Sequence, residues 1–224
     1  MESHWYIHQM EANYHVPDLF RYCVNSFIRC VKEIPQILVM ELQNHVNYKT
    51  LLRPTIYSTN KDDLLALLHK KRDFIVHRGM LELFSDGMVG TTEGRGVKIG
   101  IPFRVYPNES SADAYERFKN ICRQDRVIRG LAGPDCDSWP CIVRYWRIQE
   151  FKELDLLDLT VTAWRKVGSV LSELVELLGG ECLDLSLSCR HDPDRVRMME
   201  FSQAEFFKEV DGIDINATRA SSPS

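Results

Sequence analysis

Lys70-Lys71-Arg72-Asp73-Phe74-Ile75-Val76-His77-Arg78 is the stretch on which the fold and the chemistry both turn. It continues the helical spacing of Leu64, Leu65, Leu67 and Leu68. A turn of about 100° per residue puts Arg72 in one roughly 100° sector with Leu65, Leu68 and Ile75. A charge on such an apolar stripe must face a wet groove, a partner or a buried counter-charge, because an unpaired buried charge is too costly. Asp73 and His77 are four apart and share another face, where the carboxylate can fix the imidazole tautomer.

On the N-terminal side, Thr59 or Asn60 caps this helix, with Asp62 and Asp63 in its first turn. Its end falls between Gly79 and Ser85. An earlier helix starts near Pro17 and runs to about Asn47 through Phe20, Val24, Phe27, Ile28, Val31, Ile34, Leu38 and Leu42. The apolar phase continues across Pro35, which predicts one long helix kinked there. Leu51–Tyr57 connects the two, and long helices so joined pack antiparallel. Residues 1–15, with His4, His8 and His15, make a short helix against the bundle.

On the C-terminal side, Gly87, Gly90, Gly94, Gly96 and Gly100 mark a mobile hairpin or lid. Val97, Ile99, Ile101, Phe103 and Val105 then alternate as a half-buried strand, at an edge because of Pro102. Ser110-x-x-Asp113 opens a helix bearing Arg117, Lys119, Arg123, Arg126 and Arg129, a basic run that reads as a solvated face or a phosphate contact. Gly133-Pro134-Asp135 and Trp139-Pro140 break the chain. A third long helix spans about Ile148 to Leu178 and stops at Gly179-Gly180. Leu183, Leu185 and Leu187 alternate ahead of a turn at Arg190–Asp194, Arg195–Phe201 is the returning strand, and Ser202-x-x-Glu205 caps a last helix.

The predicted fold is mainly α: an antiparallel helical bundle with a small antiparallel β-sheet or hairpin addition. A single helical domain covers residues 1–210, with a glycine-rich strand insertion at about 86–108 and a C-terminal hairpin at about 182–201. Residues 211–224 form a disordered tail.

Composition limits the function classes. Of 224 residues, 44% are apolar and 27% charged, enough for a globular core. The net charge of −4 argues against coating nucleic acid by bulk charge but leaves room for a local basic groove. No run approaches the roughly 20 apolar residues of a membrane span, and Met1-Glu2-Ser3-His4-Trp5 lacks a signal-peptide layout, so the expectation is a cytoplasmic protein with no membrane partner. Seven scattered cysteines fit core thiols in a reducing compartment. Cys136/Cys141 and Cys182/Cys189/His191 are wrongly spaced for zinc, and no metal or other cofactor is expected.

Arginine and histidine together suit phosphate chemistry: Arg offers a planar fork to phosphate oxygens, and His moves a proton near neutral pH. On RNA the substrate's own 2′-hydroxyl is available as nucleophile. Arg72 and His77 lie five apart, roughly 140° around an ideal helix, so a second copy facing the first would tighten a loose site.

Arg72-Asp73-Phe74-Ile75-Val76-His77 resembles the Arg-x4–6-His motif of the HEPN (higher eukaryotes and prokaryotes nucleotide-binding) superfamily. Phe20-Arg21-Tyr22-Cys23-Val24-Asn25-Ser26-Phe27-Ile28-Arg29-Cys30-Val31 looks like the first long helix of its small bacterial members. The resemblance covers about residues 15–85 and, in a general way, the 148–178 helix. It implies a HEPN-like helical bundle and a homodimeric, metal-independent endoribonuclease of the kind used as toxins or in phage defence, with RNA as substrate and an antitoxin or regulatory protein as partner. Arg72 would bind the scissile phosphate, His77 would act in acid–base chemistry, and Asp73 would orient the motif, with Lys70, Lys71 and Arg78 on the nucleic acid. Some family toxins carry a Tyr two residues after the His; here that position is Gly79, which gives no support for regulation through that residue. Two other readings stay open: a non-catalytic RNA- or nucleotide-binding module, and a protein-interaction bundle in which Arg72 pairs with a buried carboxylate such as Glu173 or Glu176.

Overall fold

The computed structural model describes residues 2–77, 79–135, 137–181 and 192–214. In chain order the elements are α1 (Glu2–Ala12), α2 (Pro17–Leu42), a π-helical turn (Tyr48–Leu52), α3 (Arg53–Ser58) and α4 (Asp63–His77). Then come β1 (Phe84–Glu93), β2 (Gly96–Pro102), α5 (Ser111–Gln124), α6 (Arg126–Ala132), β3 (Trp139–Arg147) and α7 (Leu156–Leu177). The chain closes with α8 (Pro193–Arg197), β4 (Met198–Glu200), α9 (Gln203–Phe206) and a second π-helical turn (Phe207–Asp211). The architecture is mainly α with a small antiparallel sheet. The chain divides into two compact units: a helical one drawn from residues 1–13, 18–83 and 148–191, and one carrying the sheet drawn from 14–17, 84–147 and 192–224.

In the helical unit, Phe20, Val24, Phe27, Ile28 and Val31 of α2 are completely buried at the expected spacing, each contributing about 1.5–3 kcal/mol of burial. The helix runs through Pro35, although a proline there removes one backbone bond. The cap of α4 is Asp62, whose carboxylate accepts from the Leu65 N–H at 3.1 Å and also pairs with Lys166 of α7. The cap thus falls after Thr59 and Asn60. α4 ends at His77, just before Gly79, whose φ of +134° no helix accommodates. Leu52, Ile56 and Leu174 form a buried cluster with Leu38, Val39 and Leu42 packed against it, tying α2, α3 and α7 together. α7 begins later than the expected start near Ile148, at the Asp155 cap, and ends ahead of Gly179 with φ +78°.

The other unit holds a four-stranded antiparallel sheet in the order β2-β1-β3-β4. β1 and β2 are the glycine-rich hairpin, turned at Gly94, and β2 lies at the edge as Pro102 suggests. Gly90 is obligatory in this pairing, since a Cβ there would fall 1.9 Å from the Ile99 carbonyl oxygen. The strand expected over 97–105 stops at Pro102. β3 occupies the stretch between Trp139-Pro140 and the expected long helix, where no element was anticipated. One face of β3 carries Ile142, which joins Val89, Val105, Tyr115, Phe118 and Phe206 in the core beneath α5, α6 and α9.

The same face bears Arg144, completely buried. Its guanidinium donates to Ser85 Oγ at 3.0 Å, the Glu109 carbonyl at 2.7 Å and the Tyr106 carbonyl at 3.0 Å, and it lies 3.8 Å over the Trp146 ring. His15 is bonded at both nitrogens: Ser111 Oγ lies 2.7 Å from Nδ1, and Nε2 donates to the Val196 carbonyl at 2.9 Å.

The expected C-terminal hairpin is only partly inside the described residues, because 182–191 lie outside them. Of the returning strand, Arg195–Arg197 are helical; Met198–Glu200 is a strand that pairs with β3. Residues 215–224 of the tail also lie outside the described residues. Asp211, placed in that tail by sequence, is instead fixed by Arg129 at 2.6 Å.

Candidate functional site

α4 sets the geometry of the candidate cluster. Leu64, Leu65, Leu68, His69 and Ile75 form its buried face, and Arg72 lies in the middle of that arc, its side chain 24% exposed. The guanidinium meets no carboxylate of α7. Its ion pair is with the adjacent Asp73 at 3.4 Å, a long contact, and its Nε is buried with no hydrogen-bond partner among the described residues. Glu173, one of the carboxylates proposed for it, instead accepts from the Thr55 hydroxyl at 3.2 Å.

His77 is the last residue of α4 and is exposed. Asp73 makes no hydrogen bond to it among the described residues; the carboxylate is turned to Arg72, and its charge is felt by His69, four residues back. Helical geometry separates Arg72 from His77 by roughly 140° and places Lys70 within about 20° of His77 on the outer strip. Lys70 is exposed, whereas Lys71 pairs with Glu150 at 2.6 Å. Arg78 lies outside the described residues. The structure therefore gathers His77, Lys70 and Asp73 on one exposed strip and leaves Arg72 on the neighbouring, mostly buried one. Phe74 and Val76 are 40% and 44% exposed on the same two turns.

The second basic run behaves differently. Arg117 forms two bonds to Glu109, at 3.0 and 2.9 Å. Lys119 is buried between Glu116 and Glu209, each at 2.6 Å. Arg123 donates to the Glu209 carbonyl at 2.8 Å, and Arg129 grips Asp211 through Nε and Nη2. Arg126 stays exposed. Four of the five cations of the run thus hold the C-terminal segment or the Glu109 loop.

One residue of α4 with unusual chemistry escaped the sequence reading. His69 is 6% exposed; its Nδ1 is 3.1 Å from Asn60 Oδ1, and its Nε2 is buried without a partner among the described residues. Burial, reinforced by the nearby charge of Lys32, pushes its pKa down to about 4, so the ring is neutral. The signal was the one used for Arg72: His69 follows Leu65 by four residues on the same apolar arc. Among the described residues no group of three or more His, Cys, Asp or Glu side chains is arranged to hold a metal ion, and no helix is long and apolar enough to cross a membrane. Compared with protein-family models, curated proteins and solved structures, the chain finds no match in any of the three.

Proposed function

We propose that the helical unit is a HEPN-like bundle and that the protein is a cytoplasmic, metal-independent endoribonuclease whose site combines α4 from two copies. The observation that carries this reading is Arg72: a side chain 24% exposed on the apolar arc, with a buried Nε that meets no partner among the described residues and only a long contact to its neighbour. Buried polar groups rarely stay unpaired, and a guanidinium fork matches phosphate oxygens. Arg72 holds the scissile phosphate. His77 removes the proton from the substrate's 2′-hydroxyl, whose oxygen attacks the adjacent phosphorus; the 5′-oxygen leaves with a proton from the imidazolium so formed. The products are a 2′,3′-cyclic phosphate and a 5′-hydroxyl, so water is not needed in the cleavage step. Asp73 holds Arg72, and Lys70 draws the flanking backbone. The roughly 140° between Arg72 and His77 favours a composite site, and exposed Phe74 and Val76 supply apolar surface for the pairing of copies. An RNA-cutting activity of this kind fits a toxin or phage-defence effector, held in check by an antitoxin or other regulatory protein.

The test is RNA cleavage in EDTA by wild type, Arg72→Ala and His77→Ala, each checked for normal thermal unfolding. Mixing the two variants separates one composite site from two independent ones: exchange of subunits restores about a quarter of wild-type activity if Arg72 and His77 act across a twofold axis. Folded variants that cut at the wild-type rate overturn the assignment. Salt-dependent RNA binding without cleavage leaves a binding module in its place.

A further inference from the structure

The exposed strip of α4 carries a group to which the cleavage chemistry assigns no step, the ring of Phe74. It is 40% exposed, and among the described residues no other aromatic ring and no guanidinium rests on it. Aromatics of the sheet-bearing unit are used differently: the Tyr115 and Phe201 rings stack with centroids 3.8 Å apart, and the Arg129 guanidinium lies 5.0 Å over Phe206. Exposure alone says little of an apolar side chain. What distinguishes Phe74 is its neighbours.

Phe74 follows Lys70 by four residues and precedes His77 by three, within about 40° of the first and about 60° of the second around the helix. Both spacings make neighbours, about 5–6 Å apart at Cβ, and Lys70 and His77 are exposed as well. A cation, a flat apolar face and a proton-transfer group thus share one accessible strip, within the reach of a single nucleotide from phosphate through ribose to base. The reaction has a use for such a face. In-line attack needs the 2′-oxygen, the phosphorus and the departing 5′-oxygen close to one line, and the A-form stack of paired RNA does not hold them so. The nucleotide bearing the attacking hydroxyl must leave the stack, which costs most in a duplex and least in a strand already single.

We propose that Phe74 receives the base of the nucleotide whose 2′-hydroxyl attacks, so that the substrate is unpaired RNA, chosen by stacking and not by hydrogen bonds to base edges. The inference rests on the ribonuclease reading and names the substrate class of that same site. Stacking holds the base out of the strand, His77 meets the 2′-hydroxyl, and Lys70 holds the neighbouring phosphate. Every base has a π-face, so selection is broad in sequence, with purines ahead of pyrimidines because their faces are larger.

The test removes the base before it removes the ring. A single-stranded RNA incubated with the full chain in EDTA locates a scissile bond; the same strand is then made with one abasic ribose on the 5′ side of that bond, and is also annealed to its complement. Wild type cuts the intact strand with a kcat/KM about tenfold or more above that for the abasic strand, as the strength of base–aromatic stacking implies, and above that for the duplex. Phe74→Leu, which keeps the apolar surface used in pairing the copies, cuts the intact strand about as slowly as wild type cuts the abasic one. Removing the base then costs the variant no more than about twofold, the mark of a shared interaction; a variant that was merely loosened would lose a further tenfold. Three results each overturn the proposal and leave the ribonuclease reading standing: equal cutting of intact and abasic strands by wild type, an abasic loss of the same size in Phe74→Leu, or a duplex cut as fast as the single strand. Absence of cleavage in EDTA by the unaltered protein overturns both. The abasic comparison uses wild type, so it stands even if Phe74→Leu does not fold.

Discussion

The basic run of α5 and α6 in the sheet-bearing unit and the Lys70–Arg72 cluster of α4 in the helical unit treat their cations differently. In the sheet-bearing unit, Arg117, Lys119, Arg123 and Arg129 are each met by a carboxylate or carbonyl, several of them from the C-terminal segment. In the α4 cluster, Lys71 pairs with Glu150, but among the described residues Arg72 has only the Asp73 beside it, and Lys70 stays exposed. The buried histidines follow suit: His15 is bonded at both nitrogens, whereas His69 Nε2 meets no partner among the described residues. A run of positive residues is therefore no guide to function until its counter-charges are located. The denser run is structural, and the sparser one retains unused donors.

The sharpest way to break this contrast is catalytic. His77→Ala lowers RNA cleavage by about 10²-fold or more, the usual contribution of a general acid–base group, while Arg123→Ala leaves the rate per folded molecule unchanged; equal losses in a gel-based cleavage assay would erase the distinction. Stability gives the converse. Arg129→Ala strands Asp211 and removes the guanidinium stacked near Phe206 and Phe207, and urea unfolding shows a loss of about 2 kcal/mol. Arg72→Ala changes stability by no more than about 0.5 kcal/mol, because no partner is left stranded.

Acidification probes the histidines. Burial holds the folded-state pKa of both His15 and His69 to about 4, against 6.5 for an unhindered imidazole. Between these values the unfolded chain takes up protons that the folded chain refuses, so stability falls as pH drops from about 6.5 to about 4. His69→Gln removes one imidazole's share of that slope; a urea midpoint whose pH dependence is the same in wild type and variant would contradict the assignment. The smallest effect is in RNA affinity. Lys70→Ala reduces the slope of log affinity against log salt by about 0.7 for a single strand, and Arg123→Ala leaves it unaltered in a filter-binding titration.

What the sequence revealed depended on how local the cause was. The stripes of α2 and α4 rest on residues three and four apart, and both helices stand close to where spacing put them, with Pro35 inside α2. Ser110 and Asp113 form the expected reciprocal cap of α5. β3 was missed because Pro140–Arg144 is buried on both faces, so it lacks the alternation by which half-buried strands are recognised; its density of Ile, Val, Tyr and Trp was the available clue. The expected 148–178 helix also took in residues 148–154, which lie ahead of the Asp155 cap. The fate of the α5–α6 cations was not legible at all, since Lys119–Glu209 and Arg129–Asp211 join residues 90 and 82 positions apart. At the candidate site, Arg72's place on the apolar arc was legible from spacing, but Asp73's choice of Arg72 over His77 depends on rotamers that spacing does not fix.

The bond from His15 to Val196 spans 181 residues, and this has a consequence in time. At roughly 5–20 residues per second of synthesis, about 10–40 s pass between the ribosome adding His15 and adding its acceptor. During that interval the Tyr14–Pro17 segment already exists and must wait, with the His15 ring nitrogens wet, for the part of its unit that is made only after α7. Slowing or truncating translation after α7 should therefore leave a protein with ordered helices and an unfinished sheet.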